Sequence, residues 1–464
     1  MRRLLVSLLS CSLTLAGGGV VAADTSGGEI LWTQRFGLVS AQVRSHDAPT
    51  VVSPVGSIVF VLGGHVRHEF AISAFAADDG TPVWTRVYRG PSGDGNGRPT
   101  DLMISPEGSV VFVTGLSRGR FDAEAVTIAF QATTGRRLWV DRYDPPRRDV
   151  AFAMAIASDG RTLFLAGVSW RRGTGKDALV IAYRAATGRR LWARQLDGPG
   201  VSVSADVLRD VAVMPSGDIV VAVGTTSTGR GKDDVLVFAL RADTGRKRWS
   251  AAYDGPAGRN DQGTSIGVQP DGTVIYVAGS ATSTTQRDML TLALTPGGAQ
   301  AWVRLEDGPA TTASADEVSD LAVMPDGSGV VVAGASTSTG GDLDLATVSY
   351  EPNGDGAWAV MADGLDGSED WANAVAVSSD AERVYVSGRS IADDPTMSDF
   401  LTVAYDAAGG STVWADRWNG MWDDAAYDVA VSPDGTRVFV SGGAVWIGGG
   451  GHPVERATTL AYRA

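Results

Sequence analysis

Eight tryptophans recur along the chain at intervals of 52–57 residues: Trp32, Trp84, Trp139, Trp192, Trp249, Trp302, Trp358 and Trp414. A second series keeps the same period. Gly63, Gly115, Gly167, Gly224, Gly279, Gly334, Gly388 and Gly442 each stand seven residues after a turn glycine, which Ala381 replaces once. Two residue types sharing one long period mark a repeat architecture, in which no unit can bury its own apolar face and each must stack on its neighbours.

Each unit reads as four strands. DVAVSPDG (428–435) alternates small apolar and polar residues and turns through Asp-Gly, a hairpin signal. TRVFVSG (436–442) is its β-branched and aromatic partner. DFLTVAYDAAGG (399–410) and STVWADRW (411–418) supply the third and fourth strands of the preceding unit. No helical period intervenes, so the expected fold is all-β: an eight-bladed β-propeller of four-stranded antiparallel blades, beginning near residues 47, 99, 149, 206, 261, 316, 370 and 424. The last unit stops after its third strand, at TTLAYRA (458–464), and the missing Trp-bearing strand is GEILWTQRF (28–36). The N-terminal strand is therefore expected to complete blade 8 and close the ring, leaving no open sheet edge. Small residues at Ala155, Ala212, Gly267, Ala322, Ala376 and Ala430 suit inner strands crowded at the axis, with Met103 the exception. The periodic tryptophans are assigned a structural role, as large apolar wedges between sheets whose indole N–H groups need acceptors.

AYRAATGRRLW (182–192), AFQATTGRRLW (129–139) and ALRADTGRKRW (239–249) resemble the tryptophan-docking motif Ala-x-Asp-x-x-Thr-Gly-x-x-x-Trp of eight-bladed quinoprotein (PQQ-like) propellers. The whole unit, with its YDGP, PDG and VSG marks, is similar to the secreted bacterial β-propeller repeat, SBBP. The resemblance spans nearly all of the chain after residue 23 and implies the fold; about function it implies little. Quinoprotein dehydrogenases hold pyrroloquinoline quinone and calcium with acidic and amide ligands at the ring's centre, many over a disulfide. Cys11 is the only cysteine, so that disulfide cannot form and quinone catalysis is not expected.

Arg2 and Arg3 precede an apolar run from Leu4 to Val21, and Val21-Ala22-Ala23 offers small residues for cleavage before Asp24, so residues 1–23 read as a signal peptide. A lipoprotein anchored through Cys11 is the alternative, because Leu8-Leu9-Ser10-Cys11 loosely resembles a lipobox. Either reading places the protein in the cell envelope or outside the cell. Residues 24–464 then form one propeller domain, expected to be a monomer without membrane insertion. The net charge of −14 becomes −16 once Arg2 and Arg3 leave, which disfavours nucleic acid as a partner.

No nucleophile elbow, metalloprotease motif or helix-flanked phosphate loop is present, and GTGKD (173–177) falls between two strands as an ordinary turn. Acidic columns are the more informative feature. Asp149, Asp206, Asp261, Asp316, Asp370 and Asp424 precede inner strands; Glu69, Glu124, Asp177, Asp234, Asp288, Asp344 and Asp399 open third strands. Such oxygens suit calcium, but a feature recurring in nearly every blade is read first as carboxylates capping the N–H groups of turns. Asp101, Asp210, Asp320 and Asp428 alternate with Pro49, Ala153, Ser265 and Ala374 in successive blades, which hints at a paired-blade ancestor and sets four carboxylates near the axis as a candidate metal site.

Departures from the repeat are where specific function is expected. His46, His65, His68 and His452, together with Trp371, Trp418, Trp422 and Trp446, fall in blades 7, 8 and 1 on one rim, whereas Trp170 lies on blade 3. Such residues either cover the seam where the ring closes or bind a ligand; on the second reading the expected function is an exported, non-catalytic binding or scaffolding module that contacts a protein, peptide or carbohydrate through these rim loops. No cofactor is called for, and calcium is the ion the acidic pattern admits. The alternative is a metal- or His-dependent lyase or hydrolase at the channel mouth, its metal held by the histidines with Asp47, Glu69 or Glu455.

Overall fold

The computed structural model describes residues 27–464 apart from 37–48, 66–68, 91–96, 119–122, 144–147, 172, 174, 199–204, 228–231, 284–285, 310–313, 365–368, 392–396, 421 and 448–452. The signal-peptide and lipobox residues, His46, Asp47, His68 and His452 lie outside the described residues, as do the side chains of His65, Glu69, Trp446 and Glu455.

Among the described residues, thirty-two strands form eight four-stranded antiparallel sheets, each running from an inner to an outer strand. The inner strands are Thr50–Val52, Gly97–Ile104, Asp149–Ile156, Asp206–Val213, Gln262–Val268, Glu317–Val323, Asp370–Val377 and Asp424–Val431. Closure occurs as the repeat pattern predicts. Strand Ile30–Phe36 pairs antiparallel with Pro453–Arg463, so one sheet contains both ends of the described chain. Arg463 donates its N–H to Glu29 O at 2.9 Å, and Gly28 donates to Arg463 O at 3.0 Å.

The core is divided among the junctions. Eight apolar clusters each draw on two neighbouring blades, for example Phe164 and Trp192 of blade 3 against Leu208, Phe238 and Leu240 of blade 4. The periodic tryptophans are the wedges. Trp192 donates Nε1–H to Ala242 O of the next blade at 2.9 Å, and the bond recurs for Trp32, Trp84, Trp139, Trp249, Trp302 and Trp358. Each ring lies flat on the glycine of the neighbouring Thr-Gly-type turn. A Cβ at Gly245, where φ is +65°, would sit 2.5 Å from Trp192 Cε3, so Thr-Gly and Trp in the docking motif belong to different contacts, one made with each neighbour. Trp414 completes the circle against Gly28.

The second glycine column has a different cause. In seven inner strands the register with the second strand slips by one residue, a β-bulge at Thr100, Phe152, Arg209, Thr264, Ser319, Asn373 and Tyr427. The bulge pushes an inner-strand carbonyl onto the second strand: a Cβ at Gly224 would lie 1.9 Å from Val207 O, and one at Gly388 1.7 Å from Trp371 O. Only glycine fits beneath the bulge. The small-residue column also marks a close approach, since a Cβ at Gly267 would meet Val323 Cγ2 of the next blade at 2.5 Å.

Candidate functional site

The seven bulged residues, with the axial aspartates beside them, line a central channel cavity of about 630 Å³. A bulge turns one extra side chain toward the axis, and these extra side chains differ from blade to blade although the backbone repeats. Three of them tie neighbouring blades: Thr100 Oγ1 donates to Ala151 O, Thr264 Oγ1 to Val318 O and Asn373 Nδ2 to Ala426 O. Arg209 stacks over Phe152, 5.0 Å from the ring centroid.

Asp101, Asp210, Asp320 and Asp428 encircle this channel, and each carboxylate is a staple. One oxygen accepts the next residue's own N–H, as Leu102 to Asp101 Oδ1 at 2.7 Å. The other crosses to the following odd-numbered blade. Asp101 Oδ2 accepts from Met154 at 2.6 Å, Asp210 Oδ2 from Ile266 at 2.8 Å, Asp320 Oδ2 from Val375 at 3.1 Å and Asp428 Oδ2 from Thr50 at 2.5 Å. This explains the alternation: the odd blade contributes backbone N–H and a small or capped side chain, and Ser265 hydrogen-bonds both Asp210 and Asp320. Burial outweighs these bonds and pushes Asp101 up to about 8, Asp428 to about 7 and Asp210 to about 6, with Asp320 raised as well. The axial four do not bring three oxygens within 4.8 Å of one another; among the described residues, three other groups do. The axial carboxylates are spent on cross-blade staples and do not converge as a three-oxygen set, so the ring's centre offers no ready ligand cluster for a quinone and its cation. The residues present do not fit that cofactor.

The two acidic columns meet at the blade junctions. Asp206, Asp261, Asp316, Asp370 and Asp424 cap turns: Oδ2 accepts the N–H of Gly198, Gly255, Gly308, Gly364 and Gly420 respectively. Where Oδ1 is also engaged, it accepts from the second strand, as from Thr337 N at 2.7 Å in Asp316. The third-strand aspartates of the preceding blade approach these caps, and an exposed aspartate from the intervening turn joins them. Three triads result: Asp234–Asp254–Asp261, Asp288–Asp307–Asp316 and Asp344–Asp363–Asp370, each with one oxygen per residue inside 4.8 Å. Burial, reinforced by the neighbouring carboxylates, raises Asp344 to about 7 and Asp234 to about 6. Burial likewise raises Asp288 to about 6. The turn residues Asp254, Asp307 and Asp363 were not singled out from sequence, although the recurrent Asp-Gly of the YDGP mark was their signal.

The rim cluster is only partly in loops. Trp422 is a loop residue and 42% exposed. Trp371 is instead the second residue of inner strand Asp370–Val377, Trp418 ends outer strand Thr412–Trp418, and Trp446 lies in strand Arg437–Ile447. His65 likewise ends strand Ile58–His65. Ladder pairing continues to the rim in blades 7, 8 and 1, where the sequence suggested loops. Arg389 caps the Trp371 ring at 4.0 Å, and Trp418 packs edge-on against Phe400 at 5.2 Å.

A closed ring of eight four-stranded blades with tryptophans docked across every junction defines a PQQ-like eight-bladed β-propeller. The chain belongs to the family described as outer membrane protein assembly factor BamB, whose model matches residues 9–123, 122–291 and 176–441. No curated protein sequence matches it. Among solved structures it is similar to quinohemoprotein alcohol dehydrogenase from Comamonas testosteroni, with 14% identity, a TM-score of 0.58, and 93% of this chain and 76% of that chain covered. A europium-containing methanol dehydrogenase gives 13% identity and a TM-score of 0.57, covering 94% of this chain and 93% of that one. Sqt1 of Chaetomium thermophilum, bound to the N-terminus of ribosomal protein L10, gives 13% and 0.56, covering 94% and 100%. At these identities the likeness shows the fold alone.

Proposed function

We propose that the protein is an exported binding and scaffolding module of the SBBP type, without catalysis of its own, which contacts a peptide, protein or carbohydrate through the rim of blades 7, 8 and 1. The observation that carries this reading is Trp422, a large aromatic ring left 42% exposed in the turn that joins blades 7 and 8. Trp371 and Trp418, both of blade 7, are only partly buried. Exposed tryptophans supply large contact areas at small entropic cost, which is why they anchor interfaces. The periodic indoles, by contrast, dock on turns, and the axial carboxylates hold N–H groups. A family described as an assembly factor of the outer membrane accords with a scaffold carried to the envelope by residues 1–23.

The test is panning of a random-peptide display library, in parallel with a glycan array, on the purified chain 24–464. Ligands enriched on the native protein should lose at least about tenfold in affinity for a Trp371→Ala, Trp422→Ala double variant, the scale of a hot-spot truncation. Equal affinity for that variant, or loss only with Trp170→Ala on blade 3, rejects the rim of blades 7, 8 and 1.

A further inference from the structure

The acidic triads pose a charge problem that the ring solves differently at different junctions. At the junction of blades 7 and 8 the turn position is Asn419, not aspartate, and the buried third-strand Asp399 is neutralised by Arg417 at 2.8 Å. At the junction of blades 3 and 4, Arg171 approaches Asp177 at 3.4 Å. Between blades 6 and 7 all three acids are present, and among the described residues no cation comes within 4.0 Å of any of them, Arg417 acting on Asp370 only from farther away. Asp344 is 6% exposed and its Oδ1 has no hydrogen-bond partner. Asp370 is fully buried, and the buried Ser390 hydroxyl faces its carboxylate without a close hydrogen bond at Oδ1. Gly364 gives these groups room: a Cβ there would fall 2.6 Å from Ser390 Oγ and 2.7 Å from Asp370 Oδ1. Buried oxygens without partners cost free energy unless something pairs with them.

We propose that the junction of blades 6 and 7 is a calcium site, in which Asp344, Asp363 and Asp370 hold the ion and fasten the two blades together. The spacing suits calcium. Its ligand oxygens stand about 2.3–2.6 Å from the ion, so ligands on opposite sides are separated by roughly 5 Å, and the triad oxygens lie within 4.8 Å of one another. An all-oxygen set favours a hard cation over zinc or copper, and the exposed Asp363 leaves room for coordinating water. The junction of blades 5 and 6 repeats the arrangement. Asp288 is 2% exposed with Oδ1 unpartnered, faces Asp307 and Asp316, and has the buried, unpartnered Ser336 hydroxyl nearby: a Cβ at Gly308 would meet Ser336 Oγ at 2.1 Å and Asp316 Oδ1 at 3.3 Å. In this reading Arg417 does for blades 7 and 8 what the ion does for blades 6 and 7.

The experiment is calcium titration of the EGTA-stripped chain 24–464 by calorimetry and by thermal unfolding, with magnesium as a parallel arm. The native protein should bind calcium with an affinity better than about 1 mM, the range of extracellular calcium modules, and unfold at a higher temperature when loaded. Asp344→Asn should lower the stoichiometry by one. In EGTA it should be at least as stable as the native chain, because it removes an unpaired buried charge without withdrawing an acceptor from any N–H. Asp363→Asn, at an exposed position, gives the same loss of stoichiometry with folding untouched. Absence of calcium binding by the native chain overturns the proposal. So does undiminished stoichiometry in both variants, which would put the ion elsewhere, or equal affinity for magnesium.

Discussion

Asp101 Oδ2 accepts the backbone N–H of Met154 at 2.6 Å, across the junction between blades 2 and 3. The same bond joins blades 4 to 5, 6 to 7 and 8 to 1, so the ring is stapled at the axis in four pairs. In an Asp210→Asn variant the amide can accept only one of the N–H groups of Val211 and Ile266, and its NH₂ faces the other. A buried N–H left without an acceptor costs about 1–3 kcal/mol. Urea unfolding should show that loss for Asp210→Asn and near-native stability for Asp326→Asn in an exposed turn. Equal midpoints would mean that the staple contributes nothing.

Protonation should act on the staples in the opposite sense to amidation, because a neutral carboxyl can still accept at both oxygens. Burial holds Asp101 near about 8 and Asp428 near about 7, whereas in the unfolded chain both titrate near 3.8. Between those limits the native state binds protons that the unfolded state releases. Stability is therefore fully present below about pH 4 as far as these groups are concerned, and it is lost as pH rises through about 7 and 8. The native chain should be more stable at about pH 5 than at pH 8.5 by more than about 1 kcal/mol, one unit of differential affinity being about 1.4 kcal/mol. The slope should be shallower in Asp101→Asn. A slope of the opposite sign would show that the axial groups are ionised throughout.

The ring was legible because its two periodic residues answer to two contacts that recur at each junction or in nearly every blade: Trp192 to the turn at Gly245, and Gly224 to the carbonyl of Val207. Closure by residues 30–36 followed from the same count. The channel lining was not legible. A bulge adds one residue to a strand, and without the partner strand nothing distinguishes Arg209 from its neighbours; the glycine opposite was the only trace. The junction triads were half legible, since Asp344 and Asp370 sit in readable columns, but Asp363 joins them through a turn whose path no period specifies. Of the histidines, His65 ends a strand and the other three lie outside the described residues.

Two tryptophans should separate architecture from recognition. Trp192 is 7% exposed, wedged between blades 3 and 4, and hydrogen-bonded to Ala242 O. Trp192→Ala should cost about 3–5 kcal/mol, as truncation of a well-buried large side chain does. Trp422, at 42% exposure, should cost less than about 0.5 kcal/mol when truncated. Calorimetric unfolding of both variants checks the contrast. A large loss for Trp422→Ala would make it a seam residue, not a contact surface.

Gly354 tests the docking turn from its other side. Its φ is +85°, and a Cβ would lie 2.6 Å from Trp302 Cδ2. Gly354→Ala should therefore destabilise by more than about 1 kcal/mol, through backbone strain and displacement of the indole together. Near-ultraviolet circular dichroism should report the displaced ring, and an unchanged spectrum would separate strain from packing.

Ala381 shows where the repeat departs from its own rule at a cost. Seven blades place glycine at this turn with φ between +68° and +80°, and Ala381 adopts φ +59°, the one positive value at a non-glycine position among the described residues. The turn is otherwise intact, with Ala381 N–H donating to Ser378 O at 2.9 Å. A left-handed conformation costs an L-residue about 1–2 kcal/mol, against about 0.5–1 kcal/mol of extra chain entropy for glycine. The half-buried methyl packs weakly at the cluster of blades 6 and 7, which offsets part of the difference. Ala381→Gly should thus stabilise by up to about 1 kcal/mol, and the reverse change Gly435→Ala, made where no atom lies within 4 Å of the added Cβ, should destabilise by a similar amount or more. Paired melting curves decide it. If Ala381→Gly lowers the midpoint while Gly435→Ala also lowers it, the methyl's contact with blades 6 and 7 outweighs the strain, and the exception is explained by packing.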